Sequence, residues 1–177
     1  MSKRLIILAV TVIAMTIAIG FVAMEPANLP PPEASKPAVE TGVTVGKVLP
    51  AFILAAVDGK PVHITPADRV TVLNFWATWC PPCRAEMPEL NNFSRKYGDR
   101  VAVYLVNVQE SQATVAEFLN RNQYDVPCLL DTDGKVAQTF RINAIPTTLV
   151  VDKQGTIKYR KSGPVTMAEL EGVLNGL

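Results

Sequence analysis

The chain has 177 residues, room for one ordinary domain and a short appendage. Its 17 lysines and arginines against 16 acids leave a formal net charge of +1, so no basic field marks a nucleic-acid partner. Hydrophobic residues make up 49%, enough to direct attention to a membrane segment.

That segment is expected at the start. Met1-Ser-Lys-Arg4 is basic, and Leu5–Met24 carries no charge. These 20 residues, rising ~1.5 Å each, span ~30 Å as one helix, about the hydrocarbon thickness of a bilayer. Lys3 and Arg4 should stay cytoplasmic, which places the rest of the chain outside. The alternative is a cleaved signal peptide with Ala18-Ile-Gly20 as its small-x-small site. That site lies inside the apolar run, however, and the run exceeds the usual signal core of ~7–15 residues. No cysteine follows the run to carry a lipid. An uncleaved transmembrane anchor over residues 1–24 is the expectation. Residues 25–42 read as a linker, with Pro26, Pro30, Pro31, Pro32 and Pro37 favouring extended polyproline conformations. At ~3.1 Å per residue it holds a domain up to ~50 Å off the membrane.

A folded domain is expected over residues 43–177. Ala51–Leu54 and Pro61–Ile64 flank Asp58-Gly59 and predict a β-hairpin. His63 alternates with Val62 and Ile64, so it should face solvent, without a catalytic role. Val70–Trp76 reads as a buried central strand, and an amphipathic helix follows from Pro81. Cys83, Met87, Leu90 and Tyr97 form its apolar stripe, and Pro88 should kink it. Val101–Val108 predicts a buried parallel strand. Thr114-Val-Ala-Glu117 resembles a capping box, opening a helix with Val115, Phe118 and Leu119 inward. Val126–Leu130 predicts a short strand, Asp131–Gly134 a turn and Val136–Phe140 a short helix. Thr147–Val151 and Thr156–Tyr159 form a second expected hairpin. A capping box at Thr166–Glu169 opens a last helix with Met167, Leu170, Val173 and Leu174 apolar.

The chemistry concentrates in Cys80-Pro-Pro-Cys83, where strand passes into helix. Cys80 falls near the N-cap, where unpaired amides and the helix dipole favour a thiolate. A thiolate attacks disulfides, and a thiol one turn on can resolve the mixed disulfide. Zinc is the alternative, but it wants four ligands, and the chain offers only Cys128 and His63 besides, without finger-like spacing. Pro81 and Pro82 lack N–H groups, so of the first three helical amides only that of Cys83 can donate to Cys80. A less stabilised thiolate makes the dithiol a better reductant.

The run Phe75-Trp-Ala-Thr-Trp-Cys-Pro-Pro-Cys-Arg-Ala-Glu-Met-Pro88, with Ile145-Pro-Thr-Thr-Leu-Val-Val-Asp152-Lys-Gln-Gly155 downstream, resembles the TlpA/ResA-type thioredoxins. These are extracytoplasmic thiol–disulfide oxidoreductases, and the likeness runs from about Val43 to the C-terminus. It implies a thioredoxin-like α/β fold, three-layer α/β/α around a mixed central sheet, with the N-terminal hairpin as an extension. It also implies a redox-active disulfide between Cys80 and Cys83, with Cys80 attacking from the exposed end of the helix. Trp79 is expected at the site rim to receive a partner, while Trp76 is left between site and core. Where ordinary thioredoxins bury an aspartate, this chain has Asn74, which cannot titrate. Glu86, on the Cys83 face of the helix, is the candidate proton carrier, whereas Glu89 should be an exposed helix glutamate. Pro146 is expected to be cis and to face the reactive sulfur, and the Ile145 backbone to pair with an extended substrate. Cys128 reads as a buried small hydrophobe.

The leading reading is an anchored reductant of protein disulfides on the periplasmic side of a bacterial cell membrane. The resemblance brings in apocytochrome c as a substrate in cytochrome c maturation and a membrane thiol donor as a second partner. No cofactor, metal or nucleic acid is expected. A disulfide-forming or isomerising oxidant and a Cu(I) metallochaperone are the alternatives. If the anchor is retained, the mature protein resists a carbonate wash of membranes and begins at Met1 or Ser2. A soluble form beginning near Phe21 would refute it.

Overall fold

A computed structural model of the chain describes residues 40–65 and 69–177. The expected anchor, Leu5–Met24, and the linker up to residue 39 lie outside the described residues. Among those described, no helix is long and apolar enough to cross a membrane.

Seven strands form one sheet: β1 (Phe52–Ala56), β2 (Pro61–Ile64), β3 (Val70–Trp76), β4 (Val101–Val108), β5 (Cys128–Asp131), β6 (Thr147–Val151) and β7 (Ile157–Ser162). Their order is β2-β1-β5-β4-β3-β6-β7. β3, β4 and β5 pair in parallel, as continuous apolar runs between helices require, and the two hairpins add antiparallel strands at either side. The helices among the described residues are α1 (Pro81–Tyr97), α2 (Gln112–Asn122), α3 (Lys135–Thr139) and α4 (Met167–Asn175). The expected hairpin is there, and it extends the sheet because β1 also pairs with β5.

Every residue of β3 is buried, and its alternation feeds two cores. Val70, Val72 and Trp76 pack with Met87, Leu90 and Phe93 of α1, Val115 and Leu119 of α2, and Leu170 and Leu174 of α4. Leu73 and Phe75 point the other way, to Ala137 of α3, Phe140 and Leu49. Arg160 ties this second layer together, donating to the carbonyls of Val43 (3.1 Å) and Phe140 (2.9 Å). The result is the α/β/α arrangement with a mixed central sheet.

Some local expectations need correction. α1 continues through the exposed Pro88, and its buried face adds Glu86, Asn91 and Phe93, while Tyr97 is half-buried. α2 starts earlier than Thr114: Ser111 is its N-cap, accepting from Thr114 N–H at 3.2 Å, while Glu117 pairs with Arg121. A cap forms where a side-chain oxygen first meets an unpaired amide, and Ser111 comes first. Thr166 does cap α4 as expected, accepting from Glu169 N–H at 3.2 Å. Asp131 is fully buried and accepts from the amides of Val136 (3.1 Å) and Ala137 (2.7 Å), so the turn also caps α3.

Cys128 lies buried in β5 as a free thiol. Burial pushes its pKa up to about 12, with Trp76 and the Asn107 backbone opposing part of the shift. It therefore carries no thiolate at neutral pH. Cys128→Ala should keep disulfide-exchange turnover and lose ~1 kcal/mol of stability in urea unfolding. Lost turnover would show that this thiol takes part after all.

Candidate active site

Parallel strands gather functional groups at their carboxyl ends, and here the ends of β3 and β4 do so. After Trp76 the chain turns through Ala77, Thr78 and Trp79 into the N-terminus of α1. Glu110, just past β4, holds that turn. Its Oε2 accepts from Thr78 N–H and from Asn107 Nδ2, both at 2.7 Å, and its Oε1 from the Thr78 hydroxyl. The sequence reading missed Glu110. An acid directly beyond an apolar parallel strand was the available signal.

Cys80 is the N-cap of α1, in extended backbone conformation (φ −87°, ψ 108°). Its sulfur is bonded to that of Cys83, with 5.3 Å between the Cα atoms. Cys83 N–H lies 3.3 Å from Cys80 Sγ, and Pro81 and Pro82 fill the positions between, so one amide serves this sulfur. The expected contrast between an exposed Cys80 and a deep Cys83 is small: they are 3% and 0% exposed. What is exposed is the neighbouring Trp79, at 68%. A flat apolar side chain is thus left in water beside the disulfide. Trp76 instead belongs to the core, fully buried and 5.2 Å from the Phe118 ring.

On the other side stands the loop before β6. The Ile145–Pro146 bond is cis, and Ile145 O lies 3.7 Å from Cys80 Sγ. Pro146 O is engaged by Gly163 N–H at 2.8 Å, and Thr147 Oγ donates to Ala144 O at 2.7 Å, which fixes the loop. The cis bond is thus as the resemblance implies, and the Ile145 carbonyl lies beside the Cys80 sulfur. His63, as expected, faces solvent: it is exposed on β2, at the sheet edge four strands from β3.

Beneath the disulfide, Glu86 is 3% exposed. Asn74 Nδ2 donates to its Oε1 at 2.8 Å and to Thr148 Oγ1 at 3.0 Å, and Val165 N–H donates to its Oε2 at 2.6 Å. Burial raises its pKa above the usual carboxylate value, and the bonds from Val165 and Asn74 restrain the rise. Asn74 Oδ1 has no partner. Glu89 is not the exposed glutamate expected. It is half-buried and accepts from Met167 N–H at 2.7 Å, at the start of α4.

A family model described as Redoxin matches residues 44–174. The chain is 32% identical over 124 residues to sporulation thiol-disulfide oxidoreductase A of Bacillus subtilis, covering 68% of this chain and 75% of that one. It is 32% identical over 132 residues to thiol-disulfide oxidoreductase ResA of Bacillus thuringiensis, covering 73% and 76%. The crystal structure of StoA from Bacillus subtilis superposes with a TM-score of 0.64 at 29% identity, over 71% of this chain and 96% of that one.

Because the folded-state pKa of Glu86 is raised, its contribution to stability is full below the ordinary carboxylate pKa. That contribution is lost as pH rises through the raised value. Glu86→Gln removes this loss. Urea unfolding from about pH 4 to about pH 8 should show the variant gaining on the parent as pH rises. Parallel stability curves would show that Glu86 ionises as easily folded as unfolded.

Proposed function

Since the chain belongs to the Redoxin family and is a thioredoxin-like thiol–disulfide oxidoreductase, we propose that it works as a reductant of protein disulfides, with Cys80 attacking and Cys83 resolving. In the reduced protein the Cys80 thiolate attacks one sulfur of the target disulfide. The mixed disulfide forms, and the other target sulfur leaves as a thiolate. Cys83 gives its proton to Glu86 and attacks Cys80 Sγ, which closes the Cys80–Cys83 bond and releases the second target thiol. Two electrons pass from the dithiol to the target. Trp79 receives the apolar surface of the target, and Ile145 and Pro146 hold its backbone in strand-like fashion beside Cys80.

One observation carries the direction of this reaction. Cys80 Sγ has a single helix amide within reach, at 3.3 Å, because residues 81 and 82 are prolines. Fewer donors leave the thiolate, and with it the reduced form, less stabilised. Each 1.4 kcal/mol so withheld moves the potential by about 30 mV toward the reducing side.

We place the domain on the periplasmic side of a bacterial membrane, with residues 1–24 as anchor and 25–42 as spacer. The support is the charge-free run Leu5–Met24 behind Lys3 and Arg4. A membrane thiol donor would then restore the dithiol, and apocytochrome c, brought in by the resemblance to TlpA/ResA-type thioredoxins, would be a target. Cys83→Ala, which cannot resolve, traps the natural partners as mixed disulfides.

Equilibration with glutathione should give a potential nearer ~−270 mV than ~−120 mV, and Cys80 a pKa near or above ~7. Pro81→His, which restores one amide and adds a potential cation, should lower that pKa and make the pair more oxidising. A parent potential more positive than ~−180 mV would make disulfide formation or isomerisation the better reading.

A further inference from the structure

Three polar side chains lie in one row across the sheet beneath Glu86. Asn74 of β3 is paired in register with Thr148 of β6, and Thr148 with Lys161 of β7. Residues directly opposed on neighbouring strands share a face, so the row runs from the middle of the sheet to its β7 edge. At the inner end, Asn74 donates to both Glu86 and Thr148. At the outer end, Lys161 Nζ donates to both carboxylate oxygens of Glu169, at 2.9 and 2.8 Å. Tyr159, two residues before Lys161 and on the same face of β7, donates its hydroxyl to Glu169 Oε1 at 2.6 Å.

The Lys161 and Glu169 side chains are 37% and 31% exposed, so the row links a buried carboxyl to solvent. The groups around Glu86 are few. On α1 they are Cys83, one turn before, and Glu89, one turn after, whose carboxylate is engaged by the Met167 amide. β3 and β6 present the neutral Asn74 and Thr148, and the segment entering α4 presents the Val165 amide. Beyond α1, charge reaches Glu86 among the described residues from β7 and α4: Lys161 favours its ionised form, and Glu169 opposes it. Tyr159, its proton held by burial and by Glu169, stays neutral.

We propose that Lys161 is a positioning residue for disulfide exchange: its ammonium, steered by Glu169, sets how readily Glu86 takes up and returns the Cys83 proton. This rests on the reading of Glu86 as the proton carrier. The pair thus tunes a buried acid from the surface, through charge and without touching either sulfur. Lys161→Met takes a cation from the carboxylate and should make it harder to ionise. Glu169→Gln leaves the Lys161 charge uncompensated and should make it easier. The two substitutions break the same ion pair, so a merely structural role would move Glu86 in one direction for both.

The test is a carbon-13 NMR titration of the Glu86 carboxyl in the full chain, its signal assigned by its absence in Glu86→Gln, together with pH–rate profiles of disulfide exchange. The Glu86 midpoint should rise by a few tenths of a pH unit in Lys161→Met and fall by a similar amount in Glu169→Gln. In Lys161→Arg it should stay with the parent. The Glu86-dependent limb of the rate profile should move with each midpoint and vanish in Glu86→Gln. If that limb vanishes in Glu86→Gln but the midpoints stay fixed, or shift in the same direction, the role of Lys161 is refuted and that of Glu86 stands. If Glu86→Gln keeps the parent limb, Glu86 is not the proton carrier and both fall together.

Discussion

A carboxyl group buried under a sheet-packed helix must have both oxygens satisfied, and the position of the site follows from how Glu86 meets that demand. One oxygen takes Asn74 from β3, and the other takes the Val165 amide just before α4. Asn74 in turn reaches Thr148 of β6. Four elements are thereby registered on one side chain, and a slide of α1 along the sheet would strand a desolvated acid. Glu89, one turn further along α1, repeats the device by accepting from Met167 N–H. With α1 fixed at its middle, its first turn has little freedom, and Cys80 and Cys83 stand where the β6 loop can face them.

The other side of the site is held by a second carboxylate. Glu110 binds both the amide and the hydroxyl of Thr78, so the turn between β3 and α1 is pinned from β4. That turn carries Trp79 into solvent while Trp76, three residues earlier, remains in the core. A site held by Glu86 below and Glu110 beside it can present an apolar ring without collapsing over it. The buried polar groups, rather than the apolar ones, thus decide where the sulfurs sit, because hydrogen bonds are directional and dispersion is not.

Much of this was legible in the residues. Runs such as Val70–Trp76 and Val101–Val108, short and rich in β-branched residues, read as inner strands, and the two hairpins carry their turn residues openly. The Cys80-Pro-Pro-Cys83 spacing, with prolines at the first helical positions, fixes both a helix start and a redox pair. What escaped were polar contacts made across long stretches of chain. Glu89 looks like any helix glutamate until α4, some 80 residues on, brings the Met167 amide to it. Glu110 carried only the signal of an acid just past an apolar strand, and its partner Thr78 lies 32 residues earlier. At α2 the Thr114–Glu117 pattern drew the helix start away from Ser111, which carries no glutamate three residues on yet is the N-cap. Trp76 could be placed only once the α2 ring of Phe118 was seen against it.

The unpartnered Oδ1 of Asn74 has a consequence for why an amide stands at this position. A carboxamide has a donor end and an acceptor end. The donor end, which faces Glu86 across the 2.8 Å bond, suits the charged carboxylate. When Glu86 holds a proton, the same amide, turned over, offers Oδ1 to the new O–H, and the Thr148 hydroxyl can reverse and donate in its turn. An aspartate could serve only one of those states without a proton of its own. Asn74 is a reversible ratchet pawl: neutral itself, it can seat either protonation state of its neighbour by half a rotation.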